Sequence, residues 1–288
     1  MSAMSWWQSE ADSWDAGRRG WVKAVLRCPL GPTLGSTVAA MRARYSLNGV
    51  TVCLALYLFI DSMVRNGGVP YYLIWLTNWS AMALACFCVL DVVVIHRALL
   101  ASECDADAGS RGGEDAADEP RDDDPPFFVK VLWFLKSSAL VSQLTVTILF
   151  WALLYNPALP VKPRWVLSHG VLCALILLNY FFLQRYTCSH VRDVLNMYIF
   201  SVSYIAFNVV YVMIPGSTND EGSPYVYGVL DWRARPVAAV ILSMAVLLVV
   251  LPLLWGFVVA ITYLRDVIAF PHVSGRHELI LAVAEVDI

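Results

Sequence analysis

The sequence predicts an all-α membrane protein: a six-transmembrane-helix bundle with both termini cytosolic. Three observations predict it. Hydrophobic residues make up 59% of the chain and charged residues only 15%, where a soluble domain carries about a quarter. Six apolar stretches, 47–64, 71–95, 131–155, 165–184, 193–214 and 237–264, approach or exceed the ~20 residues that a helix needs to cross ~30 Å of hydrocarbon. Lys and Arg favour one side of these stretches by thirteen to five, which sets orientation. Helices are the open-chain solution, because every backbone amide must be satisfied inside lipid.

Residues 1–46 form a cytosolic N-terminal segment. It carries Arg18, Arg19, Lys23, Arg27, Arg42 and Arg44, and it lacks the short apolar core of a cleavable signal peptide. The membrane domain spans 47–266. Thr51, Asp61 and Ser62 dilute its first stretch. After the second comes "ECDADAGSRGGEDAADEPRDDDPP" (103–126), acidic and free of aromatics, which predicts a disordered cytosolic loop over 100–126. Lys130 and Lys136 open the third stretch and are expected to snorkel. On the third, Ser138, Ser142 and Thr145, and on the fifth, Ser201, Tyr204, Asn208 and Tyr211, recur at helical spacing. Those faces should turn into the bundle. Asp91 and His96, near the cytosolic end of the second stretch, read as interfacial. The loop "PGSTNDEGSPYVYGVLDW" (215–232) is rich in turn residues, and its Tyr225, Tyr227 and Trp232 look like an interfacial belt. The sixth stretch holds no charge, and Pro252 is expected to kink it. Residues 267–288 form a cytosolic tail.

Topology brings three polar residues to one leaflet. Thr77 lies about six residues into the second stretch, ~9 Å deep, and His169 ~7 Å deep at the start of the fourth. Asp61 ends the first stretch on the same side. Ionisable residues inside spans usually face a cavity or a partner. A threonine hydroxyl becomes a nucleophile when a base takes its proton, and histidine is the usual base. Asn78 lies ~100° round the helix from Thr77 and is placed to bind a developing oxyanion; Asp61 is the other supporting group. The bland reading is that Thr77 bonds the Leu73 carbonyl of its own helix and His169 packs in a polar network. The dispersed cysteines, the "TCSH" at 187–190 and the pair His272 and His277 show no metal spacing.

"YLIWLTNWS" in the second stretch, "SHG" opening the fourth and "GSTNDEGSPYVYGVLDWRARP" before the sixth resemble the rolling stone proteins. These are a branch of the androgen-induced-gene / FAR-17a superfamily of multi-pass membrane proteins. The resemblance covers 45–266. It implies a six-span fold, and through the superfamily's hydrolases of fatty acid esters of hydroxy fatty acids it implies an intramembrane Thr77–His169 pair. Those hydrolases often carry an acidic residue about ten positions after the histidine, where this chain has Asn179. The rolling stone branch itself is associated with myoblast fusion.

The leading expectation is therefore an intramembrane threonine hydrolase acting on lipid esters in the endoplasmic reticulum or plasma membrane. Its partners are membrane lipids and a lipid ester substrate; no cofactor, metal or nucleic acid is expected. The alternative is a non-enzymatic membrane protein in adhesion, fusion or scaffolding that acts through an exposed aromatic surface on 215–232. A transporter is a weaker third option, since charges at the midplane are nearly absent.

Overall fold

The structure, a computed structural model, describes residues 37–65, 69–110, 126–184 and 191–269. Most of the N-terminal segment, residues 111–125 of the acidic loop, the 187–190 motif and the tail with His272 and His277 lie outside them. Helix α1 is Thr37–Arg65, the short α2 is Val69–Leu73 and α3 is Leu76–Ser110. Helix α4 is Phe127–Leu154 and α5 is Pro163–Leu183. Helix α6 is Val191–Met213, and α7 comprises Pro236–Ala245, Val246–Val250 and Leu251–Ala269. Six of these are long and apolar enough to cross a membrane: Ala39–Arg65, Leu76–Leu100, Phe127–Leu154, Pro163–Leu183, Arg192–Met213 and Pro236–Arg265. The six apolar stretches fall on them one for one, as a multi-pass membrane protein requires. Helix α3 runs on to Ser110, so the first residues of the acidic segment continue the helix.

Helix α4 stands at the centre. Residues 136–146 are buried on every side, the pattern of a helix surrounded by others. Its Ser142 and Thr145 hydroxyls donate back to Ala139 and Val141 at 3.2 and 2.8 Å, the common arrangement of an intramembrane hydroxyl. Leu84 and Phe87 of α3, Leu140 and Leu144 of α4, Leu172 and Ile176 of α5, and Leu251 and Val258 of α7 form the core. Large apolar side chains such as Ile60, Val93, Leu195, Val210, Ile241 and Leu253 cover the outside. A surface of that kind needs lipid against it.

Gln143, at the middle of α4, is fully buried, and both its amide atoms lack a hydrogen-bond partner. An unpaired buried amide costs ~1–3 kcal/mol. Gln143→Met is therefore expected to be neutral or to stabilise by about that amount in a thermal melt of the purified protein; a loss of stability would show that the amide is paired in solution.

Two expectations about charge are corrected. Asp91 is not interfacial: it is completely buried and ion-paired to Arg44 of α1, and it accepts Asn48 Nδ2 at 2.8 Å. Lys136 does not snorkel. It is 2% exposed, with its ammonium 4.8 Å from the Tyr180 ring centroid, where cation–π attraction offsets part of its desolvation. Pro252 comes just after a π-helical turn, Val246–Val250. That wider turn absorbs the missing donor that a proline brings to a helix interior.

Candidate functional site

The second apolar stretch is not one helix. α2 ends at Leu73, Ile74 and Trp75 are non-helical, and α3 starts at Leu76. A break inside an apolar span frees backbone carbonyls that must find donors. Here those of Tyr72, Leu73, Ile74 and Trp75 find them. Asn78 Nδ2 donates to the Tyr72 carbonyl at 2.7 Å and Trp79 Nε1 to that of Leu73 at 2.6 Å. The Tyr204 hydroxyl donates to the Ile74 carbonyl at 2.7 Å, and the backbone N–H groups of Asn78 and Trp79 to that of Trp75 at 3.0 and 3.2 Å. The Leu76 N–H, the first donor of the new helix, is accepted by the Tyr227 hydroxyl at 3.0 Å. The residues around Thr77 thus close the break and leave Thr77 in the first turn of α3.

His169 is set by a second irregularity. It lies in the π-helical turn Leu167–Val171 of α5, against another π turn, Phe150–Leu154 of α4. Such turns re-aim side chains and are frequent at functional sites. The imidazole stacks on Phe150 with ring centroids 3.7 Å apart and 4° between planes. The His169 carbonyl accepts Trp151 Nε1 at 3.0 Å. His169 is 8% exposed, and its Nδ1 has no hydrogen-bond partner. The ring is held by stacking, not by a carboxylate.

Thr77 and His169 line one cavity of about 90 Å³. Around them it is walled by apolar side chains of α4 and α7, by Tyr204 of α6, and by Tyr227, Val229 and Leu230 of the loop before α7. The other polar side chain in the lining is Ser243 of α7. All three π turns nearest the site contribute: Phe150, His169 and Val246 belong to different ones.

The two supporting residues are elsewhere. Asn78 donates from its amide to the Tyr72 carbonyl, so it caps the helix break. Asp61 is paired with Arg65 one turn along α1, 2.6 Å from its Nε. Neither is part of the cavity lining.

The loop before α7 packs in part against the helices, and its Tyr225, Tyr227 and Trp232 are half-buried. Trp232 Nε1 donates to Asn208 Oδ1 at 2.8 Å, and Val226 is buried against Ile74 and Val212. The fold of the loop follows from Asn219, whose Oδ1 accepts the N–H groups of Glu221 and Ser223 at 3.0 and 2.8 Å, and from Gly222, whose φ of +80° a side chain would strain. This brings Tyr227 under the loop. Its hydroxyl meets the side chains of Tyr204 and Thr77 as well as the Leu76 N–H, and burial pushes the phenol above its usual pKa. Tyr204 stood out in the sequence by its stripe; Tyr227 stood out only as an aromatic, and Phe150 and Ser243 carried no signal.

Tyr227→Phe is expected to orphan the Leu76 N–H and cost ~1–3 kcal/mol, read as a lower unfolding midpoint. Because its pKa is raised on folding, Tyr227 leaves stability unaffected below the ordinary phenol value of ~10 and lowers it above. The variant should remove that part of the alkaline loss.

Among the described residues, no group of His, Cys, Asp and Glu is placed to hold a metal ion. The chain matches no known family model, no curated protein and no solved structure.

Proposed function

We propose that the protein is an intramembrane hydrolase of lipid esters, with Thr77 as nucleophile and His169 as base. The observation that carries this reading is that both residues line one apolar cavity although they come from helices far apart in sequence. The chemistry follows in two halves. The Thr77 hydroxyl adds to the ester carbonyl carbon as His169 accepts its proton. The tetrahedral intermediate then collapses, the alcohol leaves with the proton that His169 returns, and the acyl group stays on Thr77. Water then attacks the acyl-threonine while His169 takes its proton and passes it back to the Thr77 oxygen. One ester and one water become one acid and one alcohol. The stacked Phe150 holds the imidazole plane that a carboxylate orients in other hydrolases.

The lining favours acyl chains over polar substrates, since Leu149, Leu153, Leu154 and Val246 surround the pair. Leu153 and Leu154 are also exposed on the outer surface, so an acyl chain can reach the site from the lipid side. The positive-charge bias puts this end of the bundle in the leaflet away from the cytosol. The resemblance to the androgen-induced-gene / FAR-17a superfamily points to the same pair.

The test uses the full chain, purified in detergent and then in nanodiscs. It should turn over a fluorogenic medium-chain acyl ester and react covalently with an alkyl fluorophosphonate. His169→Ala should lower both by roughly 10²–10⁴-fold, the scale of general base catalysis. A wild-type protein that neither reacts nor turns over ester excludes the reading and favours adhesion or scaffolding.

A further inference from the structure

We infer that Ser243 is the oxyanion donor of this site, a third catalytic residue beyond Thr77 and His169. The inference rests on the hydrolase reading above and follows from an account of the donors around Thr77. When the Thr77 oxygen adds to an ester, negative charge moves to the former carbonyl oxygen, and donors fixed in a water-poor site stabilise it. Hydrolases often use backbone N–H groups at a helix start for this purpose, and Thr77 sits at such a start. Those groups are committed here. The Leu76 N–H donates to Tyr227, the Thr77 N–H meets the same phenol, and those of Asn78 and Trp79 donate to the Trp75 carbonyl. The side-chain donors nearby are engaged or lie off the cavity: Trp79 Nε1 donates to Leu73, the Tyr204 hydroxyl donates to Ile74, and Asn78, whose Nδ2 donates to Tyr72, is not part of the lining. The Tyr227 hydroxyl is engaged with Leu76, Tyr204 and Thr77, which suits it to fixing the Thr77 side chain.

Ser243 is different. It lines the same cavity from α7, it is 7% exposed, and its Oγ has no hydrogen-bond partner. Many intramembrane hydroxyls of this protein satisfy themselves by bonding a carbonyl one turn back: Thr51 to Leu47, Ser137 to Trp133, Thr145 to Val141, Ser168 to Arg164 and Thr262 to Val258. Ser243 does not, and neither do Ser138 and Thr147, but of these three Ser243 is the one that lines the cavity, and burying a hydroxyl without a partner is costly. A ligand oxygen in the cavity supplies that partner. The substrate class is then a neutral acyl ester whose carbonyl oxygen lies toward α7 and whose chain runs along the apolar wall of α4. An ionised fatty acid fits poorly, because no cationic side chain lines the cavity; this favours release of the acid product.

The experiment compares wild type, Ser243→Ala and Ser243→Thr on the fluorogenic acyl ester, with unfolding midpoints measured for all three. Ser243→Ala is expected to lower kcat by roughly 10²–10³-fold, the scale of losing one oxyanion donor, with KM changed by less than about threefold and the fluorophosphonate reacting more slowly. Ser243→Thr keeps the hydroxyl and should recover at least a tenth of the wild-type kcat. Wild-type turnover with a Ser243→Ala kcat within threefold of it overturns the assignment while leaving Thr77 and His169 in place. So does a variant that changes KM alone, because a donor to the ground state only is not an oxyanion donor. A wild type without turnover or labelling removes the hydrolase reading, and this inference with it.

Discussion

Replacing Thr77 by alanine is expected to remove ester turnover, by roughly 10⁴–10⁶-fold as for loss of a hydrolase nucleophile, and to abolish covalent reaction with the fluorophosphonate. The fold should survive. The groups that close the helix break are Asn78, Trp79, Tyr204 and Tyr227, and none of these caps uses the Thr77 hydroxyl. A stability change below about 1 kcal/mol is therefore expected. Thr77→Ser keeps the hydroxyl but loses the methyl that restricts χ1, so it should retain part of the activity. The double variant Thr77→Ala/His169→Ala should be no slower than the worse single variant, since nucleophile and base act as a unit. Turnover that persists in Thr77→Ala, with labelling intact, would show that another residue is the nucleophile.

The spans, and the meeting of Thr77 and His169 at one end of the bundle, were legible in the sequence for one physical reason. Both follow from hydropathy and a fixed rise per residue, and neither needs knowledge of which helices touch. The helix break at Ile74–Trp75 was hidden because hydropathy is blind to hydrogen-bond direction: "YYLIWLTNW" is equally apolar with or without it. Its caps come partly from Tyr204 and Tyr227, far along the chain. The π turns were hidden for a similar reason, since one extra residue in a turn leaves composition unchanged. The bond from Asn78 to the Tyr72 carbonyl was hidden because the sequence shows a donor but not what it donates to. The charged residues were misread for the opposite reason. Hydropathy places Asp91 and Lys136 near span ends, where water is the default partner, but α1 and α5 bring Arg44 and the Tyr180 ring to them instead.

Asp91→Ala is expected to destabilise the protein by ~3–5 kcal/mol, the cost of removing one partner from a buried ion pair. The carboxylate takes two hydrogen bonds from Arg44, from Nε at 2.9 Å and from the terminal guanidinium, and one from Asn48. The chain of polar contacts continues: Asn179 Nδ2 donates to Asn48 Oδ1, Gln184 Nε2 donates to Asn179 Oδ1 at 2.9 Å, and Arg265 donates to the Gln184 carbonyl at 3.1 Å. It joins α1, α3, α5 and α7 through side chains that hydrophobic burial alone would not align. Asp91→Asn keeps an acceptor for Asn48 but removes the charge, and it should fall between wild type and alanine. The double variant Arg44→Met/Asp91→Leu should recover most of the loss, because matched apolar side chains avoid the desolvation that the pair has to offset. That recovery, read as a coupling energy in a double-mutant cycle with the single variants Arg44→Met and Asp91→Leu, separates an ion pair from two independent packing defects; a double variant that loses the sum of the two single losses would argue for the defects. Function gives a second separation. Thr77 lies ~21 Å away along α3 at 1.5 Å per residue, so the Asp91 variants should lower the unfolding midpoint while KM for the acyl ester stays unchanged in the protein that remains folded.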